Sequence, residues 1–279
     1  MTTLIEIFLI GQVNESFSLK VRNWAEEVIR KTGAGLAPAR ISIYLWEKEK
    51  EFQEFDRREK AELGVVASAE NNFLATHEAW RGFSRIHLSL EKVRGLPEEI
   101  IQGVVQHEIG HALFHGRPEF YRFLFSKPLR ETARAKGLDL PQLQQLVYLL
   151  SVALKDEEVV RRLQGWGLGL GQIRLLEFLM EDTEEERQIW DQIKDLPVPK
   201  KLAWAVFFKI LLPIETLSRS GGLPASLLIN QWEKAYSWLS QRERAELRNY
   251  ARWIIKLPAE NFQDWLEQAV LEIIDQPSL

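Results

Sequence analysis

The chain has 279 residues, 46 % of them hydrophobic and 27 % charged, with a net charge of −4, which is enough length for one large core or two smaller ones. Mild acidity argues against a nucleic-acid partner, which a basic stripe would attract, and the absence of cysteine excludes disulfides and thiolate metal sites. The N-terminal MTTLIEIFLIGQ lacks a basic leader and carries Glu6, and the longest apolar run, 202–217, is broken by Lys209, Pro213 and Glu215. Neither reads as a signal peptide or a membrane span, so a cytoplasmic chain with no membrane partner is expected.

In chain order, residues 4–10 form a near-continuous apolar run and predict a first strand. Phe17, Val21, Trp24, Ala25 and Val28 recur at helical spacing up to Gly33. Ile41, Ile43 and Leu45 mark a second strand. The charged segment 47–62, with Phe52 and Phe55 on one side, predicts a helix with a broad wet face. Residues 65–69 and 73–76 around Glu70-Asn71-Asn72 suggest a hairpin. Over 83–90 the residues alternate, Ile86, Leu88 and Leu90 on one face and Arg85, His87 and Ser89 on the other, the pattern of a half-exposed strand. A long helix is expected from about 141 to 164. Beyond it Gly165, Gly167, Gly169 and Gly171 suggest a turn or hinge. From 172 onward the segments 172–193, 200–218, 224–240, 242–256 and 259–274 all look helical, their tryptophans most simply being core residues.

Residues 107–111 read His107-Glu108-Ile109-Gly110-His111. Leu96-Pro97-Glu98-Glu99 supplies a helix start and Gly116 with Pro118 a stop, so the segment lies inside a helix. Two imidazoles four positions apart share a face and can bind one zinc ion. The glutamate beside the first can take a proton from a metal-bound water. Val104, His107, Glu108, His111 and His115 form one stripe, while Ile101, Val105, Ile109 and Ala112 form a second, apolar one. A helix apolar on that second side packs into a core and turns its polar stripe to a cleft. A metal offsets the cost of enclosing those polar groups.

A strand leading through a short loop into a metal-bearing helix resembles the order in zincin metallopeptidases. The β-α-β-α-β-β-α succession is similar to their N-terminal half over roughly residues 1–165, with 107–111 as the specific motif. The resemblance implies an α+β fold. Residues 1–165 would be a zincin-like metallopeptidase domain, a small twisted mixed sheet with an edge strand plus an active-site helix. Residues 166–279 would be an all-helical region packing on it. The segment 83–90 would then be the edge strand above the metal, where an extended peptide pairs.

A catalytic zinc usually takes three protein ligands and leaves one position open. The metzincin arrangement needs histidine at 117, which is Arg117. His115 lies on the stripe but about 6 Å further along the axis, far from an ion centred between His107 and His111. It suits a place beside the ligands or at the helix end. The gluzincin-like arrangement takes a carboxylate from a later helix. Asp156 sits in the apolar row Leu149, Val152, Val159 and Leu163, and Glu157 in the row Leu150, Ala153 and Val160. Asp156 has the more enclosed position and Glu157 the usual gluzincin ligand type, so both stand as third-ligand candidates, with a charge-paired helix surface as the plain alternative. Glu177 and Glu181 are outsiders.

These parts predict a peptidase with one zinc ion held by His107, His111 and one of these acids, acting on a peptide or protein substrate. Zinc lowers the pKa of bound water to near 7, and Glu108 serves as the general base. Tyr148, Tyr236, Tyr250 and His87 are candidates for stabilising the oxyanion. One alternative is a catalytically inactive zincin-like metal-binding or regulatory module that uses its helical C-terminal half for protein interaction. Another is a structural helical protein without a metal.

Overall fold

Ile41, Ile43 and Leu45 alternate with Ser42, Tyr44 and Trp46, yet all six are buried or half-buried, because the strand they form is internal to a sheet and covered on both faces. A computed structural model describes residues 3–33, 38–62, 74–181, 183–219 and 223–275. The strands are β1 (Leu4–Ile10), β2 (Arg40–Trp46), β3 (Ala75–Glu78) and β4 (Ser84–Ser89). The helices interspersed with them are α1 (Glu15–Thr32), α2 (Glu49–Glu62), α3 (Leu90–Val93) and α4 (Glu98–Phe114). A 3-10 turn, Pro118–Tyr121, follows. Then come α5 (Lys127–Ala135), α6 (Leu140–Gly165), α7 (Gly169–Leu179), α8 (Glu184–Ile193), α9 (Pro197–Arg219), α10 (Leu223–Ala235), α11 (Gln241–Ile254) and α12 (Phe262–Asp275). The fold is mixed, mostly helical, with one small four-stranded sheet. The expected hairpin at 65–76 falls largely outside the described residues.

The chain divides into two compact units, one of residues 1–121 and 166–175, the other of 122–165 and 176–279. In the first, the strand order is β1-β2-β4-β3. β1, β2 and β4 run parallel, and β3 is antiparallel to β4 at the edge. The edge position therefore belongs to β3, and β4 is internal. α1 is capped by Asn14, whose Oδ1 accepts from the Ser16 N–H at 2.8 Å, and it ends at Gly33 with φ +82. That value lies in the left-handed region where only glycine is unstrained. Val21, Trp24, Ala25 and Val28 of α1 are buried, as are Ile41, Ile43, Leu45, Ile86 and Leu88 of the sheet and Ile109 and Ala112 of α4.

The alternation of β4 does not separate a wet face from a dry one. Arg85, His87 and Ser89 are as buried as Ile86 and Leu88. α2 supplies the cover for that polar side: Glu59 accepts from Arg85 Nη1 at 2.9 Å and pairs with Nη2 as well. The His87 ring stacks on Phe52, with centroids 4.9 Å apart. Glu78 of β3 pairs with Arg85 and lies 3.1 Å from His87 Nε2, while Trp46 Nε1 donates to His87 Nδ1 at 3.1 Å. Burial opposes ionisation of Glu78, but the bond from His87, together with Arg85 and Trp80, holds its pKa down at about 2.

In the second unit α6 and α9 pair most extensively, and α10, α11 and α12 pack around them. Buried Glu215 of α9 accepts from Arg248 Nε at 2.8 Å and Arg252 Nε at 2.9 Å, both on α11. The segment 172–193 is two helices rather than one, α7 ending at Leu179 and α8 starting at Glu184. No helix among the described residues is long and apolar enough to cross a membrane.

Candidate metal centre

α4 begins after Pro97, whose missing N–H is no loss at a helix start, and Glu98 and Glu99 complement the exposed amides of its first turn. At its other end the His115 N–H donates to the His111 carbonyl at 2.7 Å. The chain then turns so sharply that a Cβ at Gly116 would lie 2.3 Å from the Ala112 carbonyl oxygen. Most of the helix is enclosed, including Glu108 at 8 % exposure, while His107 and His111 are half-buried.

The two imidazoles converge. His107 Nε2 and His111 Nε2 lie 3.1 Å apart, and the ring planes are nearly perpendicular. Two nitrogens on one tetrahedral zinc, each about 2.0–2.1 Å from it, lie about 3.3 Å apart. The pair already has nearly that spacing.

The remaining ring nitrogens face other partners. His107 Nδ1 lies 2.9 Å from Oε1 of Gln172 on α7. The Gln172 amide orientation is fixed by its Nε2, which donates to the Gly103 carbonyl at 3.1 Å. Oε1 is thus turned toward His107 Nδ1, where it can accept a proton held on that nitrogen. His111 Nδ1 lies 3.1 Å from Nδ1 of His115, which is fully buried and edge-on to Phe120. The two Nε2 atoms thus face one another across a gap that a proton or a cation can bridge. The donor set therefore fits a metal.

α7 reaches Gln172 to this point because two glycines meet. A Cβ on Gly103 would lie 2.4 Å from the Gly171 carbonyl oxygen, and one on Gly171 would lie 3.2 Å from Gly103 Cα. Sequence reasoning passed over Gln172. The alternating glycines were its only trace, and they read as a turn, which holds at Gly167 (φ +73).

Asp156, the other half of the third-ligand question, is buried on α6 and belongs to the second compact unit. Glu157 beside it is engaged within that same unit. Its Oε1 accepts from Thr216 Oγ1 at 2.9 Å and from Arg161 Nε at 3.2 Å, and its buried Oε2 has no hydrogen-bond partner. Burial pushes the Glu157 carboxyl above its ordinary pKa, against the pull of Arg161 and Thr216. Lys155, next to Asp156, is also enclosed, and burial draws its ammonium down to about 8 although Asp156 opposes this.

Of the four oxyanion candidates, His87 is enclosed beneath α2, as described. Tyr236 is buried against Trp232 and Phe207, and Tyr250 lies against Trp204. Tyr148 is half-buried on α6. Two residues not foreseen lie closer to the pair. The His77 ring of β3 is parallel to that of His111 with centroids 6.0 Å apart, and Tyr121 Oη lies 2.8 Å from His77 Nδ1. No protein-family model, curated protein or solved structure matches this chain.

Proposed function

We propose that this chain is a metal-dependent peptidase of zincin-like, gluzincin-like type, in which His107, His111 and Asp156 hold one divalent ion and Glu108 is the general base. The observation that supports this reading best is the convergence of two imidazole Nε2 atoms, 3.1 Å apart, on the helix that also carries the buried Glu108. Two neutral imidazoles and a carboxylate suit zinc, and three protein ligands leave a position open. Bound zinc would supply a polarised carbonyl and a water that ionises near neutral pH. Glu108 would take the proton of the attacking water and pass it to the leaving amine. β3 packs against α4 and, among the described residues, is an end strand of the sheet, which suits pairing with an extended peptide.

The test is elemental analysis of protein purified without added metal, alongside cleavage of a mixed peptide library. About one zinc per chain is expected in the wild type and in Glu108→Gln, with loss in His111→Ala. Cleavage should occur in the wild type alone. Zinc without any wild-type cleavage would favour a metal-binding module, and protein without stoichiometric metal would overturn the proposal.

A further inference from the structure

We propose that Gln172 is a positioning residue that sets the His107 tautomer before any ion arrives. The inference rests on the reading of His107 and His111 as metal ligands, but its central claim concerns the metal-free protein. Gln172 is fully buried. Its amide is held at both ends, Nε2 to the Gly103 carbonyl and Oε1 to His107 Nδ1. Reversing it would set N–H against N–H at His107 whenever the ring keeps its Nδ1 proton, and would turn Oε1 onto a carbonyl oxygen. A single arrangement therefore satisfies every atom. The Gly103–Gly171 contact, where no side chain intervenes, brings α7 near enough for this reach.

The experiment compares wild type, Gln172→Met and Gln172→Glu, with thermal unfolding as a check on folding. Imidazole ¹⁵N shifts are recorded on chelator-stripped protein at neutral pH, and zinc affinity is measured by competition with a chromophoric chelator. We expect His107 in the Nδ1–H form in the wild type and in Gln172→Glu, with that preference lost in Gln172→Met. Zinc affinity should fall about 10–100-fold in Gln172→Met and rise in Gln172→Glu. Should Gln172→Glu fail to fold, the Met variant decides alone. A His107 tautomer and a zinc affinity unchanged by Gln172→Met would overturn the proposal. Wild-type protein that binds no zinc but shows the tautomer shift would instead overturn the metal reading and support the positioning role.

Discussion

Gly103 approaches Gly171 so closely that a methyl group on the first would lie 2.4 Å from the carbonyl oxygen of the second. Alanine in a helix interior normally gains up to about 1 kcal/mol over glycine. Here the obstacle is backbone, which cannot rotate away. Gly103→Ala should therefore lower stability by about 1–3 kcal/mol, the range typical of overpacking. Gly171→Ala meets the end of the Gln106 side chain at 2.9 Å and the Gly103 Cα at 3.2 Å, so its loss should be smaller. Urea denaturation of the two variants gives the ranking.

Asp156 and Glu157 are neighbours in sequence with separate surroundings, and metal content should separate them. If the proposed centre holds zinc, Asp156→Asn is expected to lose it. Glu157→Gln should retain it, since Glu157 Oε1 serves Thr216 and Arg161. Elemental analysis of both proteins distinguishes the outcomes, and equal loss in the two would contradict this assignment.

The Glu78 network should govern stability in acid. Its carboxyl has a folded pKa of about 2 against an ordinary value of 4.5. A depressed carboxylate contributes stability that is complete above the unfolded value and is lost as pH falls through the folded one. The contribution is on the order of 3 kcal/mol. Unfolding free energy should decline between about pH 4.5 and pH 2. In Glu78→Gln that slope should flatten, from a lower starting stability because Arg85 and His87 lose a charged partner.

For the proposed peptidase reaction, Tyr121 is the candidate to stabilise developing negative charge, because its Oη lies 2.8 Å from Nδ1 of His77, whose ring is parallel to that of His111. Tyr121→Phe should leave zinc content unchanged and lower kcat by about 100-fold or more, as removal of an oxyanion donor does. KM should move little. Steady-state kinetics on a cleaved peptide provides the measurement.

The legible parts of this chain are those in which local pattern and tertiary environment agree. Leu4–Ile10 and Arg40–Trp46 announce strands through a near-continuous apolar run in the first and alternating Ile41, Ile43 and Leu45 in the second. α4 is legible through Pro97, its acidic first turn and Gly116. The alternation of β4 was legible, but its solvent exposure was not: period 2 reports that chemistry differs between two faces, and α2 brought Glu59 to bury the polar one. The break after Leu179 was similarly hidden, although Glu184, Glu185 and Glu186 mark a helix start. α5 carries its own start signal in Ser126, whose Oγ accepts from Leu129 N–H, and Pro128 behind it, but it is short, with only Leu129 and Ala133 on its buried face. Within the site, the spacing of His107 and His111 follows from helix geometry. Gln172 is invisible to spacing, because its place depends on two helices meeting through glycine.

The first compact unit is not continuous in sequence, since residues 166–175 return to it after the chain has left at 121. Cutting the gene at Gly165 would separate His107 from the amide that orients it, so a fragment of the first 165 residues would lack a finished centre. During synthesis that unit also cannot close until α7 has left the ribosome, by which time all of α6 has emerged.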